Sequence, residues 1–162
     1  MPIFADPGYG DHSCLLFRTQ AELVQAAVPF VQAGLERGDR AVVLGNRPYL
    51  EVLRRELREG GLPVDDHSRK PGVRFENGSA GSSHQRSPAD LVGFLQALYT
   101  QTLQSGFPGL WILADSSWFP AVDRKPEELL SPEALLEAFV GGKRIAVTCC
   151  YPRDESSPEV LL

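Results

Sequence analysis

His12 and Cys14 stand two residues apart in HSCLLFR, and Cys149 and Cys150 are adjacent in IAVTCCY. Residues two apart on a strand share a face, so His12 and Cys14 project the same way. Imidazole nitrogen and thiolate sulfur are the ligands of zinc-type cations, which makes a His/Cys metal site the first chemistry to weigh. The spacing weighs against it. No Cys-x-x-Cys pair is present, and a buried free cysteine is an ordinary core residue. The expectation is that all three cysteines are reduced, unlinked and metal-free. His67 and His84 lie in polar segments and are expected to be solvated.

A second candidate is Asp115, which ends the apolar run LWILAD. In nucleotide hydrolases an Asp in that position holds magnesium. It equally suits capping of the turn that carries Ser116 and Ser117. Trp118 and Phe119 follow, either as core packing or as an aromatic wall for a small, weakly polar ligand. Phosphate chemistry has little support. A phosphate loop needs G-x-x-x-x-G-K-S/T, whose glycines expose backbone N–H groups and whose lysine neutralises charge. The corresponding stretch here is HSCLLFRTQ, without glycine or lysine, and Arg18-Thr19 is a poor substitute. No nucleophile elbow or paired-carboxylate motif supports a hydrolase.

The elements that must position these residues alternate. His12 to Arg18 reads as a strand. Thr19 and Glu22 form a capping box for a helix with Val24, Val28, Val31 and Leu35 at helical spacing. Pro29 is expected to kink or split that helix near Val28. Arg40 to Gly45 reads as a buried strand, because Ala41-Val42-Val43-Leu44 is apolar without alternation. Asn46 and Pro48 open a second helix, with Leu50, Leu53 and Leu57 on one face, that stops at Gly60-Gly61. Val73-Arg74-Phe75 suits a short strand, and Gly78 to Ser87 a flexible loop. Ser87-Pro88 caps a helix with Leu91, Leu95, Leu98 and Thr102 inward, ended by Gly106. Leu110 to Ala114 is a buried strand. Ser131-Pro132-Glu133 is expected to begin the last helix, with Leu135, Leu136 and Phe139 inward. Lys143 to Tyr151 holds the last strand. Four helix–strand alternations predict an α/β protein, a three-layer α/β/α fold with a mainly parallel sheet. Such sheets bind ligands beyond the strands' carboxyl ends, an edge that would gather Arg18-Thr19, Gly45-Asn46, Asp115 to Trp118 and Cys150 to Pro152.

With 162 residues, 43% hydrophobic and 23% charged, the chain has the composition of one soluble globular domain. Residues 1–151 are assigned to it, and 152–162 to a disordered tail or linker. A net charge of -5 argues against direct nucleic-acid binding. The basic cluster Arg54, Arg55 and Arg58 is interleaved with acids and reads as a solvated helix face. No apolar run approaches membrane-spanning length and no signal peptide opens the chain, so a cytoplasmic location without membrane contact is expected.

Two stretches carry a resemblance. GDHSCLLFRTQAELVQAAVPFVQAGLERGDRAVVLG, and downstream FPGLWILADSSWF with IAVTCCYPRD, are similar to the MEDS domain, the methanogen/methylotroph sensory domain of the dichloromethane-responsive regulator and its relatives. The more specific residues are Asp11-His12, Cys14 and the F-x-x-x-G-L-x-x-G-D/E run from Phe30 to Asp39. At the C-terminus this chain has Cys150-Tyr151-Pro152 where the family tends to end Cys-x-Tyr-Asp/Glu. The resemblance implies a RecA/KaiC-like fold without a phosphate loop. It also implies a sensory role toward small hydrocarbon derivatives, beside output modules such as DNA-binding domains or kinases.

The resulting expectation is a non-enzymatic signalling domain, with no cofactor. It binds a small, mostly apolar molecule and regulates a partner protein or output module, as a monomer or as an oligomer. Trp118 and Phe119 would wall the ligand, while His12, Thr19 and Asp115 orient its polar atoms. The alternatives are a protein-interaction scaffold without a ligand and a degenerate nucleotide binder. If Trp118 lines a pocket, Trp118→Ala weakens ligand binding and costs less than about 3 kcal/mol in denaturant melts; a larger loss assigns the ring to the core.

Overall fold

The computed structural model describes residues 8–65, 71–77, 88–116 and 126–154. Segment 78–87, expected as a loop, residues 155–162 of the expected tail 152–162, His67, His84 and the pair Trp118-Phe119 lie outside them. Strands and helices alternate as β1 (His12–Phe17), α1 (Gln20–Glu36), β2 (Arg40–Gly45), α2 (Arg47–Glu59), β3 (Val73–Asn77), α3 (Pro88–Gln104), β4 (Leu110–Asp115), α4 (Pro126–Val140) and β5 (Ile145–Pro152). The five strands form one sheet in the order β1-β5-β4-β2-β3, and every pairing among them is parallel. The three-layer α/β/α expectation therefore holds.

The layers follow from pleat alternation. Ala41, Val43, Trp111, Leu113 and Cys150 face α1 and α2. Val42, Leu44, Ile112, Val147 and Cys149 face α3 and α4. The central strands β2 and β4 are buried along their whole length, which explains why their apolar runs do not alternate. β1 is an edge strand and is half-buried.

Helix boundaries agree with the capping signals at α1, α2 and α3, with two differences elsewhere. Pro29 does not split α1, which runs unbroken over 17 residues. Leu23, Val24, Ala27, Phe30 and Val31 are buried on both sides of the proline, and that burial outweighs one missing amide donor. α4 begins at Pro126 rather than at Ser131. Pro126-Glu127-Glu128 is itself a helix-start signal, a first-turn proline followed by acids. Within α4, Leu136, Phe139 and Val140 are buried, whereas Leu135 is 39% exposed. One residue is a 100° step around a helix, enough to carry Leu135 off the packed face.

The motif from Phe30 to Asp39 cradles Trp111. The Phe30 and Trp111 rings lie 5.3 Å apart and tilted by 60°. A Cβ on Gly34 would touch the indole at 3.4 Å, in van der Waals contact, so only a side chain extending beyond Cβ would have to displace the ring. Gly38 turns the chain at φ 78°, where a side chain is strained. Asp39, 1% exposed, then accepts the indole N–H at 2.8 Å and the Tyr9 hydroxyl at 2.7 Å. These residues anchor β4 beneath α1, and the motif is structural. Asp39→Ala leaves a buried indole donor without its acceptor and is expected to cost about 1–3 kcal/mol in urea melts. In the Trp111→Phe background the same change should cost clearly less.

Candidate functional site

A polar cluster sits beneath α4, on the sheet face shared by β1 and β5. In the β1–β5 register Cys14 lies opposite Cys149 and Leu16 opposite Tyr151, so His12, Cys14, Cys149 and Tyr151 fall on one face. α4 lowers Glu133 and Glu137, one turn apart, onto that face. His12 Nε2 is 2.8 Å from Glu133 Oε2, and His12 Nδ1 is 3.3 Å from Glu137 Oε2. The Tyr151 hydroxyl donates to Glu133 Oε1. Cys149 Sγ is 3.5 Å from His12 Nε2, and Cys14 Sγ is 3.9 Å from Glu133 Oε2. The His12 side chain is only 5% exposed and that of Glu133 21%. The donor atoms of His12, Glu133 and Cys149 all lie within 4.8 Å of one another, the one such potential metal-holding group among the described residues.

Burial disfavours a charge on His12, but the Glu133 hydrogen bond and the charges of Glu133 and Glu137 outweigh it, so its pKa stands above the ordinary 6.5. The thiols move the other way in function. Burial, and then Glu133, push Cys14 up to about 11. Burial first, with Glu133 next, raises Cys149 well above the usual thiol value. Both are thiols rather than thiolates at neutral pH, which leaves them weak nucleophiles.

Beside this cluster lies a cavity of about 10 Å³, lined by Leu44, Leu91, Leu95, Ile112, Ala114, Leu136, Val147 and Cys149. Cys149 belongs to both the cavity wall and the polar cluster.

The residues expected from sequence to act together are not all brought together. His12 is in the cluster. Thr19 caps α1, its hydroxyl accepting from the Glu22 amide at 3.2 Å, while the Glu22 carboxylate accepts from the Arg18 amide at 2.7 Å. Asp115 is buried at the end of β4 on the α1/α2 side of the sheet, continuing the alternation of Trp111 and Leu113. It is close enough there to help raise the pKa values of Tyr49 and Cys150, for both of which burial is the larger cause. His12 and Asp115 thus face opposite helix layers. Trp118 and Phe119 fall outside the described residues. The sequence reading missed Glu133, Glu137 and Tyr151. A signal existed for each: the two acids are four apart on a helix, and Cys149-x-Tyr151 preserves the family's Cys-x-Tyr spacing, with Pro152 the position that departs.

A parallel α/β/α sheet with a glycine-free first turn and a polar cluster under its last helix defines an open-sheet α/β domain. Within that class the chain belongs to the MEDS family, the MEthanogen/methylotroph, DcmR Sensory domain, which it matches over residues 11–162. It is therefore a member of a sensory-domain family. No curated protein matches the chain. Among the described residues no helix is long and apolar enough to cross a membrane.

The His12 shift sets a pH dependence. A group whose folded pKa is raised contributes stability that is complete below the unfolded value, near 6.5, and lost as pH rises through the folded value. With a chelator present, the urea midpoint should fall as pH is raised above 6.5. Groups from α4 (Glu133, Glu137), β1 (Cys14) and β5 (Cys149) face the imidazole, and Glu133 supplies the largest raising contribution. Glu133→Gln should flatten the fall; an unchanged slope would assign it to another group.

Proposed function

We propose that this protein is a non-enzymatic sensory domain that binds a small, mostly apolar molecule under α4 and passes the occupancy to a partner protein or output module. The observation that carries this reading is the double membership of Cys149, which lines the apolar cavity and touches His12. A cavity of about 10 Å³ has room for one water molecule at most. A ligand entering there must displace α4, and Glu133 and Glu137 move with that helix. Apolar occupancy is thereby linked to the ion pairs on His12, a population shift rather than a reaction. Regulation of transcription or of a kinase would follow from the attached output. Unlinked Cys14, Cys149 and Cys150 suit a reducing, cytoplasmic compartment.

Two features support the absence of catalysis. The cluster's thiols are held protonated. The amides at the start of α1, where a RecA/KaiC-like core would cradle phosphate, are engaged by Thr19 and Glu22. A phosphate would have to displace an internal carboxylate of like charge. The runner-up, a protein-interaction scaffold, is favoured by how little space the cavity holds.

Native mass spectrometry of the purified chain, compared with the denatured chain, separates the two. The sensor reading expects a small-molecule adduct or, for the vacant protein, xenon-induced shifts of the Ile112 and Leu136 methyl signals that Leu95→Trp abolishes. Absence of both supports the scaffold. For nucleotide, titration calorimetry with magnesium-ATP should show no binding tighter than about 100 μM, roughly -5.5 kcal/mol, and no hydrolysis above background.

A further inference from the structure

We propose that His12, Glu133 and Cys149 form a binding site for a divalent transition-metal ion of the zinc type. The donor set is one imidazole nitrogen, one carboxylate oxygen and one sulfur. Hard cations such as magnesium and calcium take oxygen ligands, whereas mixed N, O and S donors suit zinc and its neighbours. Metal–nitrogen and metal–sulfur bonds of about 2.0 and 2.3 Å at a tetrahedral angle place those two donors about 3.5 Å apart. His12 Nε2 and Cys149 Sγ stand 3.5 Å apart. Glu133 Oε2 is 2.8 Å from the same Nε2, a separation set by a shared proton, which the cation would replace.

The outer contacts are those that ligands require. A metal-bound imidazole commonly donates its other N–H to a carboxylate, which fixes the tautomer and ring orientation. His12 Nδ1 has Glu137 at 3.3 Å for that purpose. The Tyr151 hydroxyl holds Glu133 Oε1, leaving Oε2 turned toward His12 and Cys14. Each oxygen-or-nitrogen donor therefore has its own orienting partner, from α4 for His12 and from β5 for Glu133.

Charge balances as well. An imidazolium, a carboxylate and a thiol together sum to zero. Replacing the imidazolium proton and the thiol proton by one divalent cation leaves imidazole, carboxylate, thiolate and metal, again summing to zero. Two protons go to solvent, and the half-buried site gains no net charge. The absence of Cys-x-x-Cys spacing does not weigh against this arrangement, because the donors come from β1, α4 and β5 and meet only through the fold. The site stands on donor geometry and holds whether or not an apolar molecule occupies the neighbouring cavity.

The test uses the full chain, stripped with a chelator under a thiol-free reductant and titrated with cobalt(II), then zinc(II). One equivalent of cobalt should bind, with a near-ultraviolet thiolate-to-metal band that zinc abolishes. Cys149→Ser should remove the band, Tyr151→Phe should weaken binding about tenfold by loosening Glu133, and Cys150→Ser, on the opposite face, should change neither. In unsubstituted protein, zinc should shift the His12 ring nitrogen signals in ¹⁵N spectra, which reports the site even where a variant fails to fold. Failure to saturate with cobalt, a band that survives Cys149→Ser in folded protein, or unmoved His12 signals would each overturn the proposal.

Discussion

The Glu133 carboxylate is the contact on which the functional face depends. It receives His12 from β1, Tyr151 from β5 and the Cys14 thiol, and it is delivered by α4. β1 is an edge strand whose one sheet neighbour is β5, so α4 and this carboxylate supply what closes it on that side. Two opposite charges held in a half-buried place interact more strongly than at the surface, and each would be costly alone. The helix and the edge strand are in this way joined at one side chain, and the cavity adjoins the cluster through Cys149.

The opposite face of the sheet has a different organising contact. There Trp111 is seated on Phe30 and Gly34 and hydrogen-bonded to Asp39. That face carries no comparable cluster of ion pairs among the described residues. The most recognisable motif of the chain, Phe30 to Asp39, thus builds the face opposite the polar cluster. In the less specific C-terminal segment, Cys149 and Tyr151 line the face that carries the polar cluster, while Cys150 points the other way.

Most of the fold was legible in the sequence. The apolar runs of β2 and β4, the caps at Thr19 and Asn46 and the stop at Gly106 are local signals and appear where they were read. The errors were also local in kind. Of the two outcomes expected at Pro29, a kink or a split, the split does not occur because buried residues flank the proline, and α4 starts at the earlier of two proline signals. The site was legible only in part. His12 and Cys149 were named as candidates for shared chemistry, but Glu133 was read only as part of a helix start, and Asp115 was grouped with His12 across a sheet that separates them.

Sequence by itself determined the elements, their alternation, the parallel sheet and the absence of a phosphate-loop motif at the first turn, because each depends on residues within a turn or a pleat of one another. Tertiary structure alone decided which residues meet. Cys14 and Glu133 are 119 residues apart and His12 and Cys149 are 137 apart. Their meeting depends on strand order and on the rotation of α4 about its axis. A 100° change in that rotation would exchange Glu133 for a neighbour. Spacing along the chain carries no record of that angle; the packing of Leu136, Phe139 and Val140 against the sheet sets it.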